Sequence, residues 1–225
     1  MGLRNKLNSP FFYVNSKAYL YGEKLLAFAK KADKLAVKYD IQIIISPQPV
    51  DLRLIASNTK NLLVFAQNID PIKEGRGHGL ILPAAIKAAG AIGVILNHGE
   101  YQLKLSHISK SIEIAKNLNL LTLAAGESLT ELAALAKLNP DIILAERSEL
   151  IGSGKRSSQD YIKNSIEVVK EINPKIMVMQ GAGVSTAEDV KSIINIGADA
   201  VGAASGIFQS DNPINVLENL ISAMK

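Results

Sequence analysis

Ala91-Ile92-Gly93-Val94-Ile95-Leu96-Asn97-His98-Gly99-Glu100 is the stretch that decides the fold. Its first six residues form an unbroken apolar run, the pattern of a strand buried on both faces. The run ends in Asn-His-Gly-Glu, and a helical pattern follows. A buried strand that delivers polar groups at its C-terminal end and then turns into a helix belongs to a parallel α/β sheet. In such sheets ligands bind beyond the C-terminal strand ends. A second run, Asp141-Ile142-Ile143-Leu144-Ala145, ends the same way in Glu146. Two strands therefore present proton-handling groups at equivalent positions.

The same alternation extends over the chain. Strands are expected at 11–15, 41–46, 62–66, 92–96, 120–124, 142–146, 176–180 and 200–203. Helical patterns follow near 20–39, 49–57, 82–89, 106–117, 127–137, 158–172, 186–195 and 213–224. Ser128-Leu129-Thr130-Glu131 and Ser185-Thr186-Ala187-Glu188 read as capping-box variants at two helix starts. Asn139-Pro140 and Asn173-Pro174 punctuate the approaches to strands six and seven. Eight βα units in 225 residues predict a closed (β/α)8 barrel of parallel strands, a single domain over 1–225 with 1–9 as an N-terminal extension. An open doubly wound sheet is the rival. It usually has fewer strands and often opens with G-x-G-x-x-G, whereas here strand one runs into Asn15-Ser16-Lys17.

Composition agrees. Hydrophobic residues make up 48% but aromatics only 5%, and Trp is absent, so the core must be aliphatic. Cys is absent too, which removes disulfides, thiolate catalysis and Cys-based metal sites. The net charge of +4 favours an anionic small molecule. The lysines are spread over helix faces, as in Lys30-Lys31-Ala32-Asp33-Lys34, and form no basic stripe for nucleic acid. No apolar stretch reaches the ~18 residues of a membrane span, and no apolar leader follows Met1. The expectation is a cytoplasmic protein with no membrane or nucleic-acid partner.

A barrel gathers its strand C-termini on one rim. There stand Asn15 and Lys17, Asn97-His98-Gly99-Glu100, Glu146, Gly181-Ala182-Gly183-Val184-Ser185 and Gly202-Ala203-Ala204-Ser205-Gly206. Each alone has an ordinary reading as a cap, turn or hydrogen-bonder; together they describe a site. Lys17 suits an anionic substrate or oxyanion, Glu146 the removal of a proton from carbon, and His98 the polarising of a carbonyl. The small-residue loops suit a phosphate, because bare backbone N–H groups can approach it. No metal-ligand cluster is evident, so hydrogen bonds would stabilise an enolate. The combination points to proton transfer α to a carbonyl on a phosphorylated substrate. His98 is expected to open a helix, whose N-terminus disfavours imidazolium. His78 and His107 do not follow strands and are set aside.

The motifs resemble one family throughout. Val14-Asn15-Ser16-Lys17-Ala18-Tyr19 is similar to an N-x-K motif, Ser46 to Leu52 to a strand-two loop, and Ala66 to Pro71 with Gly79 to Pro83 to a loop-three region. Leu96 to Glu100 resembles N-H-S-E, and Glu146-Arg147-Ser148-Glu149-Leu150-Ile151-Gly152-Ser153-Gly154 resembles E-P-P-E-L-I-G-T-G. Gly181 to Thr186 and Ala204-Ser205-Gly206 complete the order. From Tyr13 to Leu220 the chain resembles the triosephosphate isomerase family, in its short archaeal-type branch.

The resemblance implies interconversion of glyceraldehyde 3-phosphate and dihydroxyacetone phosphate through an enediolate, without cofactor or metal. It implies Glu146 as base, neutral His98 as electrophile, and Lys17 and Asn15 on the substrate. Main-chain N–H groups of Ile151-Gly152, Gly183, Ser185 and Ala204-Ser205 would hold the phosphate. Beside Glu146, the segment that carries Gly152 and Gly154 would act as a lid that closes and excludes water. It implies a homodimer or homotetramer, with loop three (68–83) docking into another subunit. Three departures surround the site. Gly99 replaces a serine that in relatives helps hold the base when the lid is open. Arg147-Ser148 replaces a proline pair that would stiffen the hinge by fixing φ. Gly75-Arg76-Gly77-His78-Gly79 replaces a loop that usually carries Thr. These departures leave two other readings open: an isomerase of a longer sugar phosphate such as a tetrulose phosphate, and a phosphate-ligand-binding barrel without turnover.

Overall fold

Each strand pairs in parallel with the next, and β8 pairs with β1, so the sheet closes. The computed structural model describes residues 7–153 and 156–224. The strands are β1 (Phe11–Asn15), β2 (Ile43–Ser46), β3 (Leu62–Ala66), β4 (Gly93–Leu96), β5 (Leu121–Gly126), β6 (Ile142–Ala145), β7 (Met177–Gln180) and β8 (Ala200–Ala203). The helices are α1 (Gly22–Tyr39), α2 (Leu52–Asn58), α3 (Pro83–Ala88), α4 (Leu105–Asn117), α5 (Leu129–Lys137), α6 (Gln159–Ile172), α7 (Ala187–Ile196), α8 (Ser205–Phe208) and α9 (Pro213–Ser222). All eight expected strands stand where the apolar runs placed them, and the barrel is the expected (β/α)8 fold. The four-residue α8 was not anticipated; it is too short to show a helical period.

Period-2 alternation sorts the strand residues into two cores. One set fills the barrel interior: Phe11, Tyr13, Ile44, Phe65, Ile95, Leu123, Leu144 and Met179 among others. The alternate set, including Phe12, Val14, Ile43, Ile45, Val64, Val94, Ile143 and Val178, packs against the helices. Strands buried on both sides have no polar face, hence the unbroken apolar runs. The inward parity of Phe11 and Tyr13 continues to Asn15, that of Leu63 and Phe65 to Gln67, and that of Ile142 and Leu144 to Glu146. Those three polar residues thus rise from the interior onto the C-terminal rim.

Two caps differ from expectation. Ser128 accepts from the Glu131 backbone N–H as a capping residue, but the Glu131 carboxylate reaches the Glu127 N–H and Asn97 instead of closing a box. The box at α7 lies one residue on from Ser185-Glu188, between Thr186 and Asp189. Thr186 has the extended backbone of a cap, and Asp189 is short enough to bond both the Ser185 and Thr186 N–H groups.

Candidate active site

A buried polar chain fixes the floor of the site. The Tyr13 hydroxyl lies 2.9 Å from Ser46 Oγ, and Ser46 Oγ donates to Asn15 Oδ1 at 3.2 Å. Burial raises the Tyr13 pKa, with the Ser46 bond opposing it and losing, so Tyr13 stays protonated and donates to Ser46. The Lys17 backbone N–H also donates to Asn15 Oδ1, at 3.0 Å. With its oxygen taken twice, the Asn15 amide must turn its Nδ2 towards the rim. There it stands 3.3 Å from His98 Nε2.

His98 arrives by a local reversal. Asn97 has φ +60°, the left-handed region. That turn breaks the strand alternation, so the Asn97 side chain packs outward against Ala125 O, Glu131 and the Leu103 N–H. His98 takes the rim position instead. It does not open a helix as expected: α4 begins seven residues later, at Leu105. The His98 pKa is nevertheless lowered. Burial is the main cause, the Lys17 ammonium acts in the same direction, and the Glu146 and Glu100 carboxylates oppose them without winning. The Glu100 backbone N–H donates to His98 Nδ1 at 3.1 Å, so the proton of the neutral ring sits on Nε2. With Nε2 protonated, it and Asn15 Nδ2 are both donors. They cannot satisfy each other, so they converge on a position where an anionic oxygen would fit. Lys17, itself in a left-handed conformation at φ +42°, is anchored by Nζ to Glu100 Oε1 at 2.9 Å on the same rim.

Replacing Lys17 by Met removes a charge that holds His98 down. The expected result is an upward move of the His98 midpoint in an NMR titration. The sign for stability follows from the lowered value. Below the ordinary imidazole pKa of 6.5 the unfolded chain binds this proton more readily than the folded one. This group therefore makes stability fall as pH drops from about 6.5 to the folded pKa.

Glu146 projects from the end of β6 next to Gly181. A Cβ on Gly181 would lie 2.6 Å from Glu146 Oε1, so only glycine leaves room for the carboxylate. Oε1 accepts from the Ala182 backbone N–H at 2.8 Å. Oε2 is buried, has no hydrogen-bond partner among the described residues, and lies 3.4 Å from His98 Nε2. One oxygen is thus tethered and the other is left with its lone pairs facing the imidazole. A buried acceptor with no partner normally costs stability; here it faces the rim where a proton-bearing ligand would sit.

A narrow cleft of about 30 Å³ joins Glu146 to the loops beyond it, lined by Ile151, Gly152, Gly183, Ala204 and Ser205. Ile151 and Gly152 form one wall of it, opposite Ala204 and Ser205. A larger cavity of about 410 Å³ opens on the other side of Lys17 towards Tyr19, Gln48 and Tyr101. Asn15, Lys17, Glu146, Ile151, Gly152, Gly183, Ala204 and Ser205 are therefore brought together, with His98 against Glu146. Ser185 is not part of that lining: it is exposed, and its N–H is donated to Asp189. Gly154 lies outside the described residues. His107 packs 3.8 Å from Asp70 at the base of loop three, away from the lining.

Sequence reading missed Glu127. It ends β5 just as Glu146 ends β6, after Leu121-Thr122-Leu123-Ala124-Ala125-Gly126. Ending the strand at Ala124 assigned Glu127 to a helix start, although strand–Gly–Glu is the same signal that marked the rim elsewhere.

A closed barrel with a carboxylate, a neutral imidazole and an ammonium converging on its C-terminal rim defines a class: (β/α)8 barrels equipped for proton transfer. A family model described as Triosephosphate isomerase matches residues 10–224. A triosephosphate isomerase of Methanothermus fervidus is 36% identical over 223 residues, covering 97% of this chain and 100% of that one. One of Methanocaldococcus jannaschii is 38% identical, covering 92% of this chain and 97% of its own. One of Sulfurisphaera tokodaii is 35% identical, covering 97% of each. The chain belongs to the triosephosphate isomerase family.

Proposed function

We propose that this protein is a triose-phosphate isomerase, with Glu146 as the base and neutral His98 as the electrophile. The observation that carries the assignment is the free Glu146 Oε2, 3.4 Å from a His98 nitrogen whose proton is fixed by the Glu100 N–H. Glu146 Oε2 takes a proton from the carbon beside the carbonyl. The carbonyl oxygen becomes the enediolate oxygen and accepts from His98 Nε2–H and Asn15 Nδ2–H, with the Lys17 charge nearby. The enediolate's hydroxyl proton passes to the former carbonyl oxygen by way of His98 Nε2, the oxygen that lost it becomes the new carbonyl, and Glu146 returns its proton to the neighbouring carbon. These donors are in place before charge develops, so they need no reorganisation when it does. Backbone N–H groups of Gly152, Gly183 and Ala204-Ser205 hold the phosphate under the lid.

A coupled assay with glyceraldehyde 3-phosphate and with dihydroxyacetone phosphate tests this. Turnover in both directions is expected. Turnover of a tetrulose phosphate alone would favour the longer substrate, and inactivity on all three would favour a binding protein.

The same reading makes the protein a homodimer or homotetramer of one-domain chains, in the cytoplasm. No helix among the described residues is long and apolar enough to cross a membrane. Val50 is 83% exposed, and Leu80, Tyr101 and Leu105 are at least half exposed, an apolar cost that association would remove. Light scattering on the eluted protein is expected to give two or four chain masses. A monomer at micromolar concentration would overturn the oligomer.

A further inference from the structure

The lid has an unusual seat. Its first turn, Ser148–Leu150, starts two residues after Glu146. Ser148 Oγ donates to Glu127 Oε2 at 2.8 Å, and Gln102 Nε2 donates to Glu127 Oε1 at 2.9 Å. The Glu127 backbone is held as well: its N–H donates to Glu131 Oε2 at 2.9 Å, and its carbonyl accepts from the Tyr161 hydroxyl at 2.6 Å. Three elements therefore meet on one residue: the β4–α4 loop, the lid and α6. Arg147, between the base and Ser148, lies over the ring of that same Tyr161, its guanidinium carbon 5.8 Å from the centroid.

Gly99 completes the seat by what it lacks. A Cβ there would lie 3.2 Å from Ile151 Cδ1 and 3.3 Å from Ser148 Cβ. A side chain at 99 would press on both lid residues at once. Glycine lets the lid settle until Ser148 reaches Glu127.

We infer that Glu127 is a positioning residue that latches the lid shut through Ser148, and that Gly99 supplies the clearance the latch needs. The inference rests on the isomerase reading for its kinetic consequence but not for its geometry. A substrate whose phosphate lies under the lid enters when the lid lifts, so on that reading the Ser148–Glu127 bond opens and re-forms in each turnover. Because Ser148 is two residues from Glu146, the bond also fixes the base against His98.

The test uses Ser148→Ala, Glu127→Ala and the double variant. In each single variant kcat is expected to fall about tenfold, the scale of one hydrogen bond to a charged group. The double variant is expected to lose no more than the worse single one, because both remove the same bond. Ser148→Thr keeps a hydroxyl and is expected to retain most of the rate. A loosely held lid should also let the enediolate lose its phosphate. The electron pair on the enediolate oxygen re-forms a carbonyl, the enediolate double bond shifts to the phosphate-bearing carbon, and the carbon–oxygen bond breaks with its pair leaving on inorganic phosphate. Phosphate released per turnover is therefore expected to rise in both single variants. Wild-type kcat and phosphate release in Ser148→Ala would overturn the latch while leaving the isomerase intact. Hydrogen exchange of residues 147–153 reads the latch without any substrate. It is expected to quicken in Ser148→Ala, and unchanged exchange would overturn the latch whatever the protein's activity.

Discussion

Glu146→Gln is expected to lower kcat by about 10²- to 10⁴-fold, the usual contribution of a positioned general base. The amide keeps the size of the carboxylate, and its oxygen still accepts from the Ala182 N–H. The expected change is therefore in kcat and not in KM, with the melting temperature nearly unmoved. The reason is specific to the rim. The other carboxylate beside the imidazole is Glu100, which is 54% exposed, paired with Lys17, and placed at the Nδ1 side of His98. Neither its position nor its solvation suits it to replace a buried oxygen at Nε2. Steady-state kinetics in both directions check this, and a loss below tenfold would mean that another group takes the proton.

The second large effect is on stability. Phe65→Ala is expected to cost about 3–5 kcal/mol in a denaturant titration. Phe65 is fully buried in the barrel interior, and its cross-strand neighbour is Gly93. The fit is tight: a Cβ on Gly93 would lie 2.4 Å from the Phe65 ring. Truncation leaves a void that the strands cannot close, because each is hydrogen-bonded to neighbours on both sides. Gly93→Ala is expected to restore part of the loss in that background and to destabilise the wild type. A cost for Phe65→Ala of less than about 1 kcal/mol would mean that the ring does not fill the interior.

This pair shows how far the sequence could be read. Gly93 within the apolar run Ala91 to Leu96 did not disturb the strand assignment, yet its purpose was invisible. Only the register of β3 on β4 puts Phe65 over it. The helical start assigned to His98 shows the opposite error, although the helix itself, Leu105–Asn117, stands where its own pattern at 106–117 placed it. The polar stretch 97–104 contains no period, and before α4 starts at Leu105 the N–H groups of Glu100, Tyr101 and Leu103 are taken by His98 Nδ1, the His98 carbonyl and Asn97 Oδ1. The neutrality expected of His98 stands, but burial and Lys17 cause it instead of a helix end.

By itself the sequence determined the eight βα units, the rim on which chemistry collects, and Lys17, His98 and Glu146 on that rim. Those follow from hydrophobic periodicity and from chain order, which are local. Tertiary structure alone decided three things. The left-handed turn at Asn97 aims His98 inward, and the Glu100 N–H chooses its tautomer. Gly181 and the Ala182 N–H tether one oxygen of Glu146 and leave the other free. Glu127, 21 residues before Ser148, becomes the seat of the lid. The His98 placement turns on the single backbone angle at Asn97, whereas Glu146 with Ala182 and His98, and Glu127 with Ser148, are distant in sequence and are brought within 3.4 Å by barrel closure.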